Sequence, residues 1–113
     1  MHEESIVESL LALALEEAEK AKASKILGIY LVVGELSGVL EEAVELYFSF
    51  LSRNTIASEA KLFFTRIPAQ LRCRNCNTIF SPERLDLQCP NCKEHQVEII
   101  GGRELYIESM EVE

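Results

Sequence analysis

Two short cysteine pairs decide how this chain is organised: Cys73-Arg74-Asn75-Cys76 and, twelve residues later, Cys89-Pro90-Asn91-Cys92. All four cysteines of the 113-residue chain lie in these C-x-x-C units. A C-x-x-C turn places two sulfur atoms on one side of a tight loop, so two facing turns make a tetrahedron of sulfur. Zn²⁺ accepts four thiolates in that geometry and then has no open position. The spacing therefore predicts a structural Zn(Cys)₄ site rather than a catalytic one.

Three other interpretations of these cysteines stay open. Two disulfides would suit a secreted protein, although nothing else in the sequence indicates secretion. A redox dithiol usually has a single C-x-x-C at a strand-to-helix junction. Iron would fit the same sulfur cage, because sequence spacing does not choose the metal.

Length and charge narrow the class of protein. A chain of 113 residues with 48% hydrophobic residues forms one domain, or a small domain with a smaller insert. Zinc ribbons that bind nucleic acid need a basic face, but the net charge here is −8. Few basic residues lie near the cysteines in the sequence: Arg72, Arg74, Arg84 and Lys93. A zinc-ribbon nucleic-acid-binding or regulatory protein is therefore the alternative, and no nucleic-acid partner is expected.

The sequence predicts a cytoplasmic protein with no membrane partner. Its first residues are acidic, whereas a signal peptide begins with a basic region. The longest apolar run, residues 26–33, contains a glycine and is too short to span a bilayer. In the cytoplasm, cysteine thiols stay reduced and available to a metal.

Two helices are predicted from apolar residues that recur at three- and four-residue steps, over residues 5–22 and 40–53. Ser5 and Glu8 fit a capping box at the start of the first helix. Leu13 widens the apolar stripe of this helix, which predicts broad packing on a sheet. Asn54 suits a left-handed position after the second helix.

Three strands are predicted at residues 26–33, 59–67 and 103–112. The first is apolar on both faces and should be central; the helix that follows it favours a parallel pairing with the second. The predicted fold class is α/β: a small three-stranded mixed sheet with two helices and an inserted Cys₄ zinc-ribbon-like module. Residues 1–70 with 101–113 would form the α/β domain, and residues 71–100 the zinc-binding domain.

The N-terminus offers a second metal site. Initiator methionine is normally kept when a large residue follows, so Met1 would keep its α-amine beside the amide and imidazole of His2. These nitrogens can chelate one metal through adjoining rings, and square-planar nitrogen sites suit Ni²⁺ and Cu²⁺. On the dipeptide alone, a terminal histidine without a role is the simpler interpretation.

Motifs along the whole chain favour a metal-binding role for His2. They occur in order, and with the two cysteine pairs they closely resemble the HypA/HybF family of hydrogenase maturation factors: Met1-His2-Glu3, Gly34-Glu35-Leu36-Ser37-Gly38-Val39, Ala60-Lys61-Leu62 and Gly102-Arg103-Glu104-Leu105-Tyr106-Ile107. That family comprises nickel metallochaperones, which carry Ni²⁺ to the large subunit of [NiFe]-hydrogenase.

The resemblance implies specific sites and partners. Nickel, as transported cargo, would bind Met1, His2 and Glu3; structural zinc would bind Cys73, Cys76, Cys89 and Cys92. The implied partners are a nickel-handling GTPase and the hydrogenase large-subunit precursor; in some organisms the family also serves urease maturation. The sequence contains no nucleophile–base pair, phosphate loop or H-E-x-x-H motif, so the protein is predicted not to be an enzyme and to have no catalytic residue.

Three residues depart from the family pattern. Asn77 and Lys93 follow the second cysteine of each pair, where glycine is usual, and Asn54 likewise replaces a common glycine. Asparagine tolerates a left-handed backbone better than lysine does. His95 keeps three interpretations: an exposed turn residue, a further nickel ligand, or a zinc ligand in place of a cysteine.

Overall fold

The computed structural model describes residues 3–82 and 86–113, which form two compact units. The described residues of the first unit are 3–32, 38–65 and 105–113; those of the second are 33–37, 66–82 and 86–104. The second unit thus includes chain on both sides of residues 71–100. The assignment of nickel to one part and zinc to the other stays a prediction.

Both predicted helices are confirmed, and both lie in the first unit. Helix α1 spans Glu3–Lys20 and helix α2 spans Glu41–Leu51. Glu3 and Glu4 in the first turn of α1 and Lys20 in its last turn complement the helix dipole. Because Ser5 lies inside α1, the predicted capping box with Glu8 is wrong.

No helix in the described part of the chain combines the length and apolar character needed to cross a membrane.

The described residues contain six strands, which form two separate sheets. In chain order they are β1 Ile26–Gly34, β2 Lys61–Ile67, β3 Gln70–Cys73, β4 Ile79–Phe80, β5 Val97–Gly101 and β6 Leu105–Val112. The first sheet has the order β2-β1-β6, so β1 is the central strand, as predicted. The second, of order β4-β3-β5, was not predicted from the sequence.

Hydrogen bonds at the strand ends show that the first sheet is mixed. The Glu113 N–H, just after β6, donates to the Lys25 carbonyl, just before β1, at 2.9 Å. The end of β6 therefore meets the start of β1, and the two strands are antiparallel. Beyond the other end of β1, the Glu35 N–H donates to the Ile67 carbonyl of β2 at 2.8 Å, so β1 and β2 end at the same edge and are parallel.

The core of the first unit lies between its helices and its sheet. Val7 of α1, Val44 and Phe48 of α2, and Ile29 and Leu31 of β1 are buried there. Burial of these side chains removes apolar area from water and holds the helices on the sheet. Leu13 does not join this core, because 52% of it stays exposed; it lies instead beside strand β6 of the same sheet.

The second unit is built on the short β4-β3-β5 sheet. Strand β3 lies in its middle, antiparallel to both neighbours, with Leu71 opposite Phe80 of β4 and Ile99 of β5. Leu71 is only 2% exposed, so it forms the apolar centre of this unit. Because β3 ends at Cys73, the sheet also positions the first cysteine.

A close backbone crossing joins the two ends of the second unit. The Gly34 N–H donates to the Glu104 carbonyl and the Leu36 N–H donates to the Gly102 carbonyl, both at 2.6 Å. A Cβ atom on Gly34 would lie 2.1 Å from the Gly102 oxygen, so no other residue fits there without displacement of the backbone. Gly102 has a φ of 108°, and a Cβ atom there would lie 2.8 Å from the Ala69 Cα, so the crossing accounts for two glycines of the motifs that resemble the HypA/HybF pattern.

Candidate metal centre

The first cysteine pair folds into a tight turn closed by backbone hydrogen bonds. The Cys73 N–H donates to the Thr78 carbonyl at 2.9 Å, and the Asn77 N–H donates to the Cys73 carbonyl at 2.8 Å. Asn77 has a φ of 63°, in the left-handed region. This turn brings the backbone around behind the two sulfur atoms and leaves them on one side.

The second pair repeats the same turn. The Cys89 N–H donates to the Glu94 carbonyl at 2.8 Å, and the Lys93 N–H donates to the Cys89 carbonyl at 3.0 Å. Lys93 has a φ of 68°, so it adopts the backbone that glycine provides most easily. The prediction that residues 77 and 93 replace glycine in a left-handed position is thus consistent with both turns.

The two turns bring the four sulfur atoms together. All four Sγ atoms lie within 4.8 Å of one another, with Cys73 and Cys92 at 3.5 Å and Cys76 and Cys89 at 3.6 Å. Four sulfurs around a metal with bonds of about 2.3 Å would be about 3.8 Å apart. The cysteines are free, since a disulfide requires about 2.05 Å between the sulfur atoms. The donor set therefore fits one tetrahedral, thiolate-preferring metal.

Burial differs between the two members of each pair. Cys73 and Cys89, the first members, are fully buried, whereas Cys76 and Cys92 are half-buried. The centre is therefore anchored in the second unit on one side and open towards solvent on the other. A metal could enter from that open side.

Polar neighbours stabilise a thiolate at Cys76. The Thr78 hydroxyl lies 3.1 Å from the Cys76 sulfur, and the Asn91 amide donates to the same sulfur at 3.6 Å. Hydrogen bonds from the Thr78 side chain and backbone, with that from Asn91, lower the pKa of Cys76 to about 5. Cys76 is therefore a thiolate at neutral pH.

The pKa values of Cys92 and Cys73 shift in opposite directions. Hydrogen bonds from the Asn75 side chain and the Glu94 backbone lower the pKa of Cys92. The pKa of Cys73 is raised to about 11: a backbone hydrogen bond from Cys76 lowers it, but burial and hydrogen bonds shared with Cys92 and Cys76 act against that effect. A metal that binds all four sulfurs must displace the Cys73 proton.

The sequence analysis did not predict the two amides that contact the sulfur atoms, although the sequence contains a signal for them. Asn75 and Asn91 occupy the same third position of their C-x-x-C units. In the structure each contacts a cysteine of the other turn: Asn75 reaches Cys92, and Asn91 reaches Cys76. The repeated asparagine thus links the two turns through the sulfur atoms.

Of the other predicted site residues, the structure describes Glu3 and His95. Met1 and His2 lie outside the described residues, so their assignment as nickel ligands stays a prediction. Glu3, half-buried, begins the described part of α1. His95 is exposed after the second turn and is not part of the cysteine group, within the ranges the structure describes.

Comparisons with known proteins agree on one family. The family model described as "Hydrogenase/urease nickel incorporation, metallochaperone, hypA" matches residues 1–112. A hydrogenase maturation factor HypA of Dehalococcoides mccartyi is 48% identical, covering 100% of this chain and 95% of the relative. The solution structure of the Ni metallochaperone HypA from Helicobacter pylori is similar with a TM-score of 0.69 and 32% identity, covering 99% of this chain and 97% of that one. Another solution structure, of a HypA protein, has a TM-score of 0.75 at 32% identity over 99% of this chain and 96% of that chain.

Proposed function

Because the chain belongs to the HypA family of nickel metallochaperones, we propose that it binds one Ni²⁺ at its N-terminus and delivers it for maturation of [NiFe]-hydrogenase. The observation that carries the proposal is the family match over residues 1–112, which includes the three N-terminal residues. A family of maturation factors also supports the prediction that the protein is not an enzyme.

The proposed nickel site uses the α-amine of Met1, the amide and imidazole of His2, and the amide of Glu3. Glu3 lies in the first turn of the described part of α1, and N–H groups in the first turn of a helix have no intrahelical acceptor. An amide nitrogen there can become a ligand without breaking a helical hydrogen bond. Nitrogen donors in one plane suit Ni²⁺.

The proposed structural ion is Zn²⁺, held by Cys73, Cys76, Cys89 and Cys92. Four thiolates fill its coordination sphere, so the ion would contribute folding free energy and leave no place for a substrate. The two proposed sites differ in their ligands: the sulfur atoms would hold the structural zinc, and the nitrogen donors would hold the transported nickel.

The proposed partners follow from that role. Delivery would involve a nickel-handling GTPase and the large-subunit precursor of the hydrogenase, and in some organisms urease maturation factors. We place the protein in the cytoplasm, where reduced thiols can hold zinc. The nucleic-acid alternative has little support, because the Arg72 guanidinium donates to Glu98 at 2.6 Å and Arg74 lies 3.9 Å from the same carboxylate.

Native mass spectrometry of the untagged protein with added Zn²⁺ and Ni²⁺ tests the proposal. We expect one zinc and one nickel per chain, because the two ligand sets share no residue. If nickel instead replaces zinc, so that the total stays at one metal, the cysteines hold the nickel and the proposed terminal site is wrong.

Nickel binding is expected to weaken in acid. Protonation of His2, with an unperturbed pKa of about 6.5, and of the amine competes with the metal, so affinity should fall at least about tenfold between about pH 7.5 and about pH 5.5. Competition titration against a chromophoric chelator over this range measures it.

The chain has only two histidines, which provides a matched control. His95→Gln should keep the pH dependence, and His2→Gln should remove tight binding at every pH. The reverse pattern would assign the nickel to His95.

A further inference from the structure

A groove in the first unit is unexplained by metal binding. It lies between α1 and β6 and has a volume of about 510 Å³. Its apolar lining includes Leu10 and Leu13 of α1 and Tyr106 of β6. Leu13 is 52% exposed and Tyr106 48%, so large apolar side chains meet water here.

The charge of the groove has one sign. Glu17 of α1 and Glu108 of β6 line it, and no lysine, arginine or histidine does so among the described residues. Glu17 has a cationic neighbour outside the lining, Lys20, at 3.4 Å. That pair is exposed and therefore weak, so the carboxylate can take another cationic partner.

Strand β6 also offers backbone hydrogen-bonding groups to the groove. It is an edge strand, paired only with β1 in the sheet order of the described residues. At its two ends, the Glu104 carbonyl and the Glu113 N–H bond to residues beside β1. Alternate residues of an antiparallel strand direct their N–H and C=O groups away from the neighbouring strand, so part of the β6 backbone is free at the outer edge of the sheet. Such groups are a template for another strand.

From these three features we propose that the groove binds an extended basic segment of a partner protein, which adds to the sheet as a strand along β6. Its backbone would pair with the free backbone groups of β6. Its apolar side chains would cover Leu13, and its lysines or arginines would approach Glu17 and Glu108. Backbone pairing supplies affinity in this mode of recognition, and side-chain contacts supply specificity.

Charge makes a second copy of this chain the poorer occupant. Strand β6 contains Glu108 and Glu111 and no basic residue. Pairing two β6 strands would place carboxylates across from carboxylates, which is destabilising. A helix could cover the apolar side chains but would leave the free backbone groups of β6 unpaired. A basic strand satisfies all three features together.

The test uses a fluorescent peptide of alternating valine and lysine, with the same eight-residue length as β6 and with both ends blocked. We expect saturable binding by fluorescence anisotropy, with slowed hydrogen exchange, by NMR of the intact protein, at those β6 amides that exchange fast without the peptide. A peptide of the same composition, N-methylated at every second residue, should not bind, because it cannot pair with β6.

A matched pair of double variants tests whether the carboxylates of the groove contribute to peptide binding. Glu17→Lys with Glu108→Lys should weaken binding roughly tenfold, since two favourable charge contacts become repulsive. Glu19→Lys with Glu45→Lys makes the same change in net charge at exposed positions outside the groove and should have a much smaller effect.

Three results would overturn the proposal. Equal loss in both double variants would mean that only net charge matters. Equal binding of the N-methylated peptide would exclude strand addition. Dissociation of a dimer by the peptide, seen by analytical ultracentrifugation, would identify a second copy as the occupant.

Discussion

Substituting Cys89→Ser is expected to unfold the second unit while α1 and α2 stay folded. Cys89 is fully buried and belongs to the four-sulfur group, so its loss removes a ligand and leaves a hydroxyl among the remaining sulfurs. The apolar centre of this unit rests on few side chains, of which Leu71 is the largest that is fully buried. A structural zinc site typically contributes about 10–16 kcal/mol of apparent binding free energy, which so small a core does not replace.

The two units can be followed separately, because both helices belong to the first. Circular dichroism at about 222 nm reports those helices and should change little, whereas the amides of β3 and β5 should lose protection from hydrogen exchange. Gln96→Ser changes an exposed residue near the same turn and serves as the control. Complete loss of helical signal in Cys89→Ser would show that the units fold together; unchanged protection would show that the metal is dispensable.

The structure bears out the parts of the fold that short sequence patterns encode. Helical periodicity predicted α1 and α2 to within a few residues at each end, since each has a continuous apolar stripe. The left-handed position at Asn54 is also confirmed, with a φ of 64°. The local chemistry of one residue sufficed there, because asparagine tolerates this backbone.

The second sheet could not be predicted in the same way. Strand β4 has two residues and β3 has four, too few for a period-two pattern to stand out. The pairing of Leu71 with Ile99 joins segments far apart in sequence. Only the approach of the two cysteine turns brings those segments together, and sequence spacing does not encode how strands on either side of a metal site will pair.

Two residues, Ser5 and Leu13, lie differently from what their local patterns indicate. Ser5 with Glu8 fits a helix start, but α1 already includes Glu3, so the motif lies inside the helix. Leu13 extends an apolar stripe, yet it faces the groove beside β6 instead of the core. In both cases the local pattern is present, but the neighbouring residues determine where it lies in the fold. The sequence alone did not show that Leu13 would be exposed.

Any residue fused ahead of Met1 is expected to abolish tight nickel binding. The fusion converts the α-amine into an amide within a longer chain and moves His2 away from the terminus. The proposed chelate therefore loses its amine donor. His2→Ala removes the imidazole but leaves the amine, and it should have a comparable effect. We expect nickel affinity to fall about a hundredfold or more in each, because each change removes one donor of a single chelate.

Isothermal titration of an N-terminal Gly-Ser extension, the same extension at the C-terminus, and His2→Ala decides the matter. The C-terminal extension should bind nickel as the untagged protein does. Zinc content should be equal in all of them, since Cys73, Cys76, Cys89 and Cys92 share no ligand with the terminus. Undiminished nickel affinity in the N-terminally extended protein would place the site elsewhere. The next candidates would then be His95, the one described histidine, and the nearby cysteine centre. Loss of nickel binding in His95→Ala would identify His95 as a ligand, and unchanged binding would leave the cysteines.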